Sequence, residues 1–333
     1  MQQNKSGEIL IFFTGGTICM RPRDGSHDVV PSGDFQQFFG EVSPHIRDVR
    51  LKPVEWSDLP SPHMSPERML RLAKDIESAL EAPETLGAVV IHGTDVLVES
   101  AFMADLVLNT TKPIIYTGSM RYYSESGYDG IRNLLNSIKA CLLPLPPETG
   151  VVLLMTDRLF AAREVMKVNA LNIDAFEAPE SGPLGYIAGE DVIWGHYRRN
   201  QPFPRPIVRT ETLETNVPLL SCYAGMDGSL VDFLRQQRIA GLVVEGFGAG
   251  NVPPGLVPAL ETLVRDDIPV VLTTQCPQGR VWPIYAYPGG AADLQKKGVI
   301  LGGRLSGAKA RIQLMAVLGA KLPLEAIRKL YQL

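Results

Sequence analysis

"ILIFFTGGTICM", residues Ile9–Met20, drives an unbroken apolar run straight into a pair of glycines flanked by threonines. Ile9 to Phe13 include no polar residue, the pattern of a strand covered on both faces. Gly15 and Gly16 let the backbone turn sharply at its end and leave Thr14 and Thr17 where the strand opens. In open α/β sheets, ligands bind outside the carboxyl ends of the strands. Hydroxyls at that place are turn formers or they are chemistry.

Similar runs recur along the chain and alternate with helical patterns, which predicts an α/β fold built around parallel strands. In the first half they are "EILIFF", "GAVVIH", "KPIIYT" and "GVVLLMT"; in the second, "VPLLSCY", "IAGLVVEGF", "IPVVLTT" and "GVILGG". "SPERMLRLAKDIESALEA" predicts a helix with Ser65 as N-cap, Pro66 at N1 and Met69, Leu72, Ile76 and Leu80 on one face. "TDVLVESAFMADLVLNT" predicts a buried helix, and further helices are expected near 228–237, 255–265 and 306–333. Between the halves, Gly195 to Thr215 is rich in proline and charge and has little periodicity. This gives an N-terminal α/β domain over 1–194, a linker over 195–215 and a C-terminal α/β domain over 216–333.

With 333 residues, two domains are the natural division. A net charge of −4 gives no electrostatic case for nucleic acid or a membrane surface as partner. No signal peptide is read in "MQQNKSGEILIFF", and Cys19, Cys141, Cys222 and Cys276 are scattered without a CxxC pair, which points to reduced thiols in a cytoplasm.

Polar groups follow the first three strands: Thr14, then "HGTD" (His92–Asp95), then "TGS" (Thr117–Ser119). If the strands are neighbours, these groups converge on one sheet edge. There is no GxxxxGK[ST], no GxSxG and no HExxH, so P-loop, nucleophile-elbow and zinc chemistry lack support. "GFGAGNVPPG" resembles a dinucleotide turn only weakly, with Asn251 in place of the third glycine. A threonine hydroxyl attacks a carbonyl once a neighbouring group takes its proton. Thr94 beside Asp95 offers such a place, and a lysine would complete the relay. Taken singly, Thr14, Thr17 and Thr94 read more readily as turn and cap residues than as catalytic ones.

"TGGTI", "HGTD", "TGSM…DGIRN" and "EGFGAGNVP…TTQCPQG" resemble, in order and position, the bacterial-type L-asparaginase family, in its cytoplasmic (type I) branch. The resemblance implies a larger N-terminal domain with a parallel or mixed sheet and a smaller flavodoxin-like C-terminal domain. It implies Thr14 as nucleophile, Thr94 as the group activating the attacking water or hydroxyl, and Asp95 as the ligand of the substrate's α-amino group. In "RLFAAREVMKVNALNIDAF" it assigns the family's lysine to Lys167, with Arg158–Leu159 and Asp174–Phe176 anchoring the register. Arg163 and Glu164 read as solvated charges. Ser61 in "PSPHM" would bind the substrate carboxylate, and Gly16 and Thr17 would shape the pocket.

This chain departs from the family in the loop after TGGTI, which lacks the usual tyrosine and offers Asp28 or His27 instead. Pro62 and His63 stand where polar amide- or carboxylate-type side chains are usual, and Met166 replaces a threonine. The function implied is hydrolysis of the side-chain amide of L-asparagine to aspartate and ammonia through an acyl-enzyme. The alternatives are hydrolysis of glutamine or another amide by the same site, or a non-catalytic amino-acid sensor. No metal or organic cofactor is expected, and the partners expected are a small amide substrate and further copies of the chain, as a homodimer or homotetramer.

Overall fold

The computed structural model describes residues 7–22, 28–31, 35–42, 44, 46, 49–146, 149–195 and 205–332, so His27 and residues 196–204 of the expected linker lie outside it. The chain forms two compact units, Met1–Arg205 and Pro206–Leu333. Residues 205–218 hold no helix or strand.

The first unit opens with β1 (Glu8–Phe13), the hairpin of β2 (Met20–Pro22) and β3 (Val29–Pro31), α1 (Phe35–Val42) and β4 (Arg50–Glu55). Next come α2 (Pro66–Leu80), β5 (Thr85–Ile91), α3 (Leu97–Val107), β6 (Ile114–Thr117), α4 (Gly130–Leu142) and β7 (Val152–Met155). β8 (Arg158–Ala161), the paired β9 (Met166–Lys167) and β10 (Phe176–Glu177), β11 (Gly185–Ala188) and β12 (Asp191–Trp194) complete it. The main sheet has the order β12-β11-β8-β7-β6-β5-β1-β4. β1 sits inside it with all six residues buried, as its apolar run requires. From β7 to β4 the pairing is parallel, whereas β8, β11 and β12 are antiparallel. The reversal comes from Thr156 (φ 47°) and Asp157 (φ 64°), a two-residue turn with both central residues left-handed.

Ser65 caps α2, its hydroxyl accepting from the Arg68 N–H at 3.4 Å, and the helix buries Met69, Leu72, Ile76 and Leu80. α3 is buried from Ser100 through Val107, in keeping with its nearly all-apolar sequence.

The second unit alternates β13 (Leu219–Ser221), α5 (Ser229–Gln236), β14 (Leu242–Gly246), α6 (Val257–Arg265), β15 (Val270–Thr274), α7 (Ala291–Lys296) and β16 (Ile300–Leu301). Its four strands are parallel, in the order β13-β14-β15-β16. The helix expected over 306–333 is two, α8 (Gly307–Gly319) and α9 (Leu324–Leu330). Left-handed Lys321 (φ 54°) and Pro323 break it between them.

Candidate active site

β1 and β5 are parallel neighbours with Phe13 opposite Ile91, so their carboxyl ends lie side by side. Thr14 continues the pairing: its N–H and its hydroxyl both donate to the Ile91 carbonyl at 3.0 Å. Beyond it the backbone turns through Gly15 (φ 99°) and Gly16 (φ 102°), a region L side chains rarely enter. A methyl on Gly16 would lie 2.5 Å from the Gly93 Cα, and one on Gly93 would lie 2.7 Å from the Ser61 Cβ. The glycines of TGGTI and HGTD are therefore contact surfaces as well as turn formers. They let the ends of β1 and β5 and the segment leading to Ser61 meet backbone to backbone.

That segment is strapped over Thr14. The Leu59 N–H and the Ser57 hydroxyl donate to the Thr14 carbonyl at 3.1 and 2.9 Å. It then makes a short turn, Ser61–His63, whose last carbonyl accepts from Arg68 at 2.7 Å. The buried Ser61 hydroxyl accepts from the Asp95 N–H at 3.1 Å and donates to the Asp95 carboxylate at 3.3 Å.

Lys167 arrives from elsewhere in the sequence. β9 and β10 form a small hairpin outside the main sheet, in which Lys167 pairs with the fully buried Phe176. The Arg158 side chain contacts Asp174 and donates to the Phe176 carbonyl, tying this hairpin to β8. Lys167 Nζ then donates to Thr94 Oγ1 and Asp95 Oδ1, both at 3.0 Å. The Lys167 side chain is 17% exposed and that of Asp95 59%, so the lysine bridges a buried hydroxyl and an open carboxylate.

Thr14, Gly16, Ser61, Thr94, Asp95 and Lys167 are thus joined by hydrogen bonds or direct backbone approach around two neighbouring strand ends. Thr17, half-buried, opens the short turn Thr17–Cys19. Asp28 is exposed immediately before β3, and Pro62 and His63 are exposed. Arg163 and Glu164 are half-buried rather than solvated: Arg163 lies over the Phe102 ring and Glu164 accepts from Ser181.

The third strand end reaches the same sheet edge as expected, with Thr117 opposite Ile91, and its hydroxyls are held by main chain. The Thr117 hydroxyl donates to the Leu154 carbonyl at 2.8 Å and that of Ser119 to the Arg121 carbonyl at 2.8 Å. Main-chain acceptors consume both hydroxyls. The "DGIRN" motif holds this turn. Asp129 accepts from the Met120 and Arg121 N–H groups at 3.1 Å, and Asn133 donates to the Gly118 carbonyl at 3.0 Å while accepting from Thr156 N–H at 3.1 Å.

Sequence reasoning gives His92 no role of its own within HGTD. Its ring is buried, and burial lowers its pKa to about 4 although the hydrogen bond to Gly93 opposes the shift. The neutral imidazole donates through Nδ1 to the Gly93 carbonyl at 2.8 Å and so props the turn that presents Thr94. Only its burial identifies that task, and burial is not legible in the motif. Among the described residues, no three His, Cys, Asp or Glu side chains cluster so as to hold a metal ion.

Two family profiles cover the chain: "Asparaginase, N-terminal" matches residues 8–200, and "Glutaminase/Asparaginase C-terminal domain" matches residues 216–331. A probable L-asparaginase of Deinococcus radiodurans is 36% identical over 97% of this chain and 96% of its own length. An L-asparaginase of Bacillus licheniformis is 30% identical over 94% of this chain and 96% of that protein. The crystal structure of a probable cytoplasmic L-asparaginase from Campylobacter jejuni superposes with a TM-score of 0.86 at 28% identity, covering 98% of this chain and 99% of that one.

Proposed function

The chain belongs to the asparaginase family of amidohydrolases, and from that premise we propose that it hydrolyses the side-chain amide of L-asparagine, with Thr14 as nucleophile. The observation that carries this reading is the 3.0 Å bond from Lys167 to Thr94, beside the strand end that bears Thr14. In the first step Thr14 Oγ attacks the amide carbonyl carbon, its proton passes to the departing nitrogen, and ammonia leaves. A threonyl ester of aspartate remains. Water positioned by Thr94 and Lys167 then attacks the ester carbonyl carbon, and one of its protons passes to Thr14 Oγ as the ester bond breaks and aspartate departs. Asp95 pairs with the substrate ammonium and Ser61 binds its carboxylate, while Gly16 and Thr17 shape the floor.

A second reading, hydrolysis of glutamine or another amide, draws support from Pro62, which removes an N–H donor next to Ser61. We also read the protein as cytoplasmic and as a homodimer or homotetramer; the exposed Trp282, Ile284, Tyr285 and Tyr287 of the second unit support the assembly. Light scattering measures the assembly. Ammonia release from a panel of amides tests the function: asparagine should be turned over by the parent protein and not by Thr14→Ala. Absence of release from every amide would leave the sensor alternative.

A further inference from the structure

We propose that Tyr128, in the turn between β6 and α4, is a positioning residue for the amide hydrolysis: its hydroxyl braces the backbone that follows the TGG turn and so fixes the Thr17 wall of the pocket. This role rests on the function proposed above. The Tyr128 hydroxyl donates to the Ile18 carbonyl at 2.7 Å, across 110 residues of sequence. Ile18 is the middle residue of the short turn Thr17–Cys19, which also makes local bonds. The Cys19 N–H donates to the Gly16 carbonyl at 3.3 Å, and the Met20 N–H donates to the Thr17 carbonyl. Two residues beyond Ile18, the Met20 carbonyl accepts from the Tyr123 N–H at 3.3 Å. The Arg21 guanidinium lies over the Tyr123 ring, 4.8 Å from its centre. The Tyr123 and Tyr128 rings meet edge to face at 5.4 Å, so these contacts come from one packed unit.

The loop that carries Tyr128 is closed on itself. Arg121 Nη1 donates to the Ser126 and Gly127 carbonyls at 2.9 and 3.1 Å, and the Tyr128 N–H donates to the Glu125 carbonyl at 3.1 Å. Asp129, just before α4, ties down its start through the Met120 and Arg121 N–H groups. Gly130 leaves room for the phenol: a methyl there would collide with the Tyr128 hydroxyl and lie 2.7 Å from Ile18 Cγ1. Burial raises the phenol's pKa above its ordinary value, so the hydroxyl remains a donor at neutral pH. Thr14 is held separately, by the Ile91 carbonyl on one side and by Ser57 and Leu59 on the other. The Tyr128 bond therefore acts on the wall against which substrate rests, and not on the attacking hydroxyl.

Tyr128→Phe removes one oxygen and keeps the ring, and two measurements on the full chain read the result. In hydrogen–deuterium exchange, the peptide covering residues 14–22 should exchange about tenfold faster than in the parent, with the β5 peptide unchanged. In ammonia-release kinetics, KM for asparagine should rise about tenfold while kcat stays within about twofold. A residue that only supported the fold would lower the melting temperature and leave KM of the folded enzyme where it was. Parental exchange over 14–22, an unmoved KM, or a fall in kcat at constant KM would each overturn the proposal. A parent that releases no ammonia from asparagine would instead refute the function proposed above, and parental exchange over 14–22 in Tyr128→Phe would then still overturn the brace.

Discussion

The two sheets end in similar ways and spend their polar groups differently. In the second unit, as in the first, parallel strands run into glycine turns and threonines. There, however, Thr274 donates to the Gly248 carbonyl at 2.6 Å, and the Gln275 amide reaches the Ser221 hydroxyl and the Cys222 carbonyl. The edge is stitched shut by a group that neither takes nor gives a proton at neutral pH. In the first unit the stitching residue is Lys167, brought in on its own hairpin and bonded to side chains rather than to main chain. The parallel sheet with glycine turns is therefore scaffold common to both units. What the first unit adds is a lysine between a hydroxyl and a carboxylate.

The sharpest way to break this contrast is to remove each stitch. Lys167→Met and Thr14→Ala should each lower ammonia release on the order of 10⁴-fold or more, with thermal melting showing a folded protein. Gln275→Met should cost about 1 kcal/mol of stability and leave turnover per folded molecule unchanged. Near-parental turnover by the Lys167 variant would erase the distinction between the edges.

The glycines sharpen it next. Gly16 is left-handed and packed on Gly93, whereas Gly248 (φ 49°) has open space where a Cβ would go. In denaturant unfolding, Gly16→Ala should cost about 3 kcal/mol through strain and overpacking, and Gly248→Ala about 1 kcal/mol through strain alone. Equal costs would show that Gly16 serves the turn and not the close approach.

His92 adds a pH dependence to the first unit. Its folded pKa of about 4 lies below the ordinary 6.5, so between these values the unfolded chain binds a proton that the folded chain refuses. Stability from this group is complete above pH 6.5 and declines as pH falls toward 4, by about 3 kcal/mol in all. Urea titrations across that window should show the decline in the parent and a shallower one in His92→Gln. Parallel curves would place the charged imidazole in solvent.

Smaller effects attach to the loop and to metal. Asp28→Tyr should change KM or kcat for asparagine by about tenfold or less, since a carboxylate brought to the mouth would repel a substrate carboxylate. An indifferent variant would remove Asp28 from the site. Dialysis against a chelator should leave turnover unaltered, and activity lost to chelation and restored by zinc would contradict the metal-free chemistry proposed.

How much of this is legible in the sequence depends on whether the signal is local. β1, β5, the glycine turns and the cap of α2 follow from runs and dipeptides that sit together in the chain. β4 does not: "RLKPVE" is charged and contains Pro53, features tolerated because an edge strand pairs on one side only. α4 begins within "DGIRN", a motif that stands out for its polar residues. Lys167 lies 73 residues from Thr94, so no spacing rule could join them, and only the family resemblance points to it. Thr117 and Ser119 converge on the same sheet edge as expected, but main-chain carbonyls hold their hydroxyls, which the motif alone does not reveal.

The central claim is that Thr14 carries the acyl group and that Thr94 with Lys167 removes it. Acid-quenched Thr94→Val mixed with asparagine, digested and weighed by mass spectrometry, addresses both halves together. The account predicts an added aspartyl group on the peptide bearing Thr14, formed with about one equivalent of ammonia and slowly lost. An aspartyl group on any other peptide, or steady ammonia release with Thr14 unmodified, would contradict it.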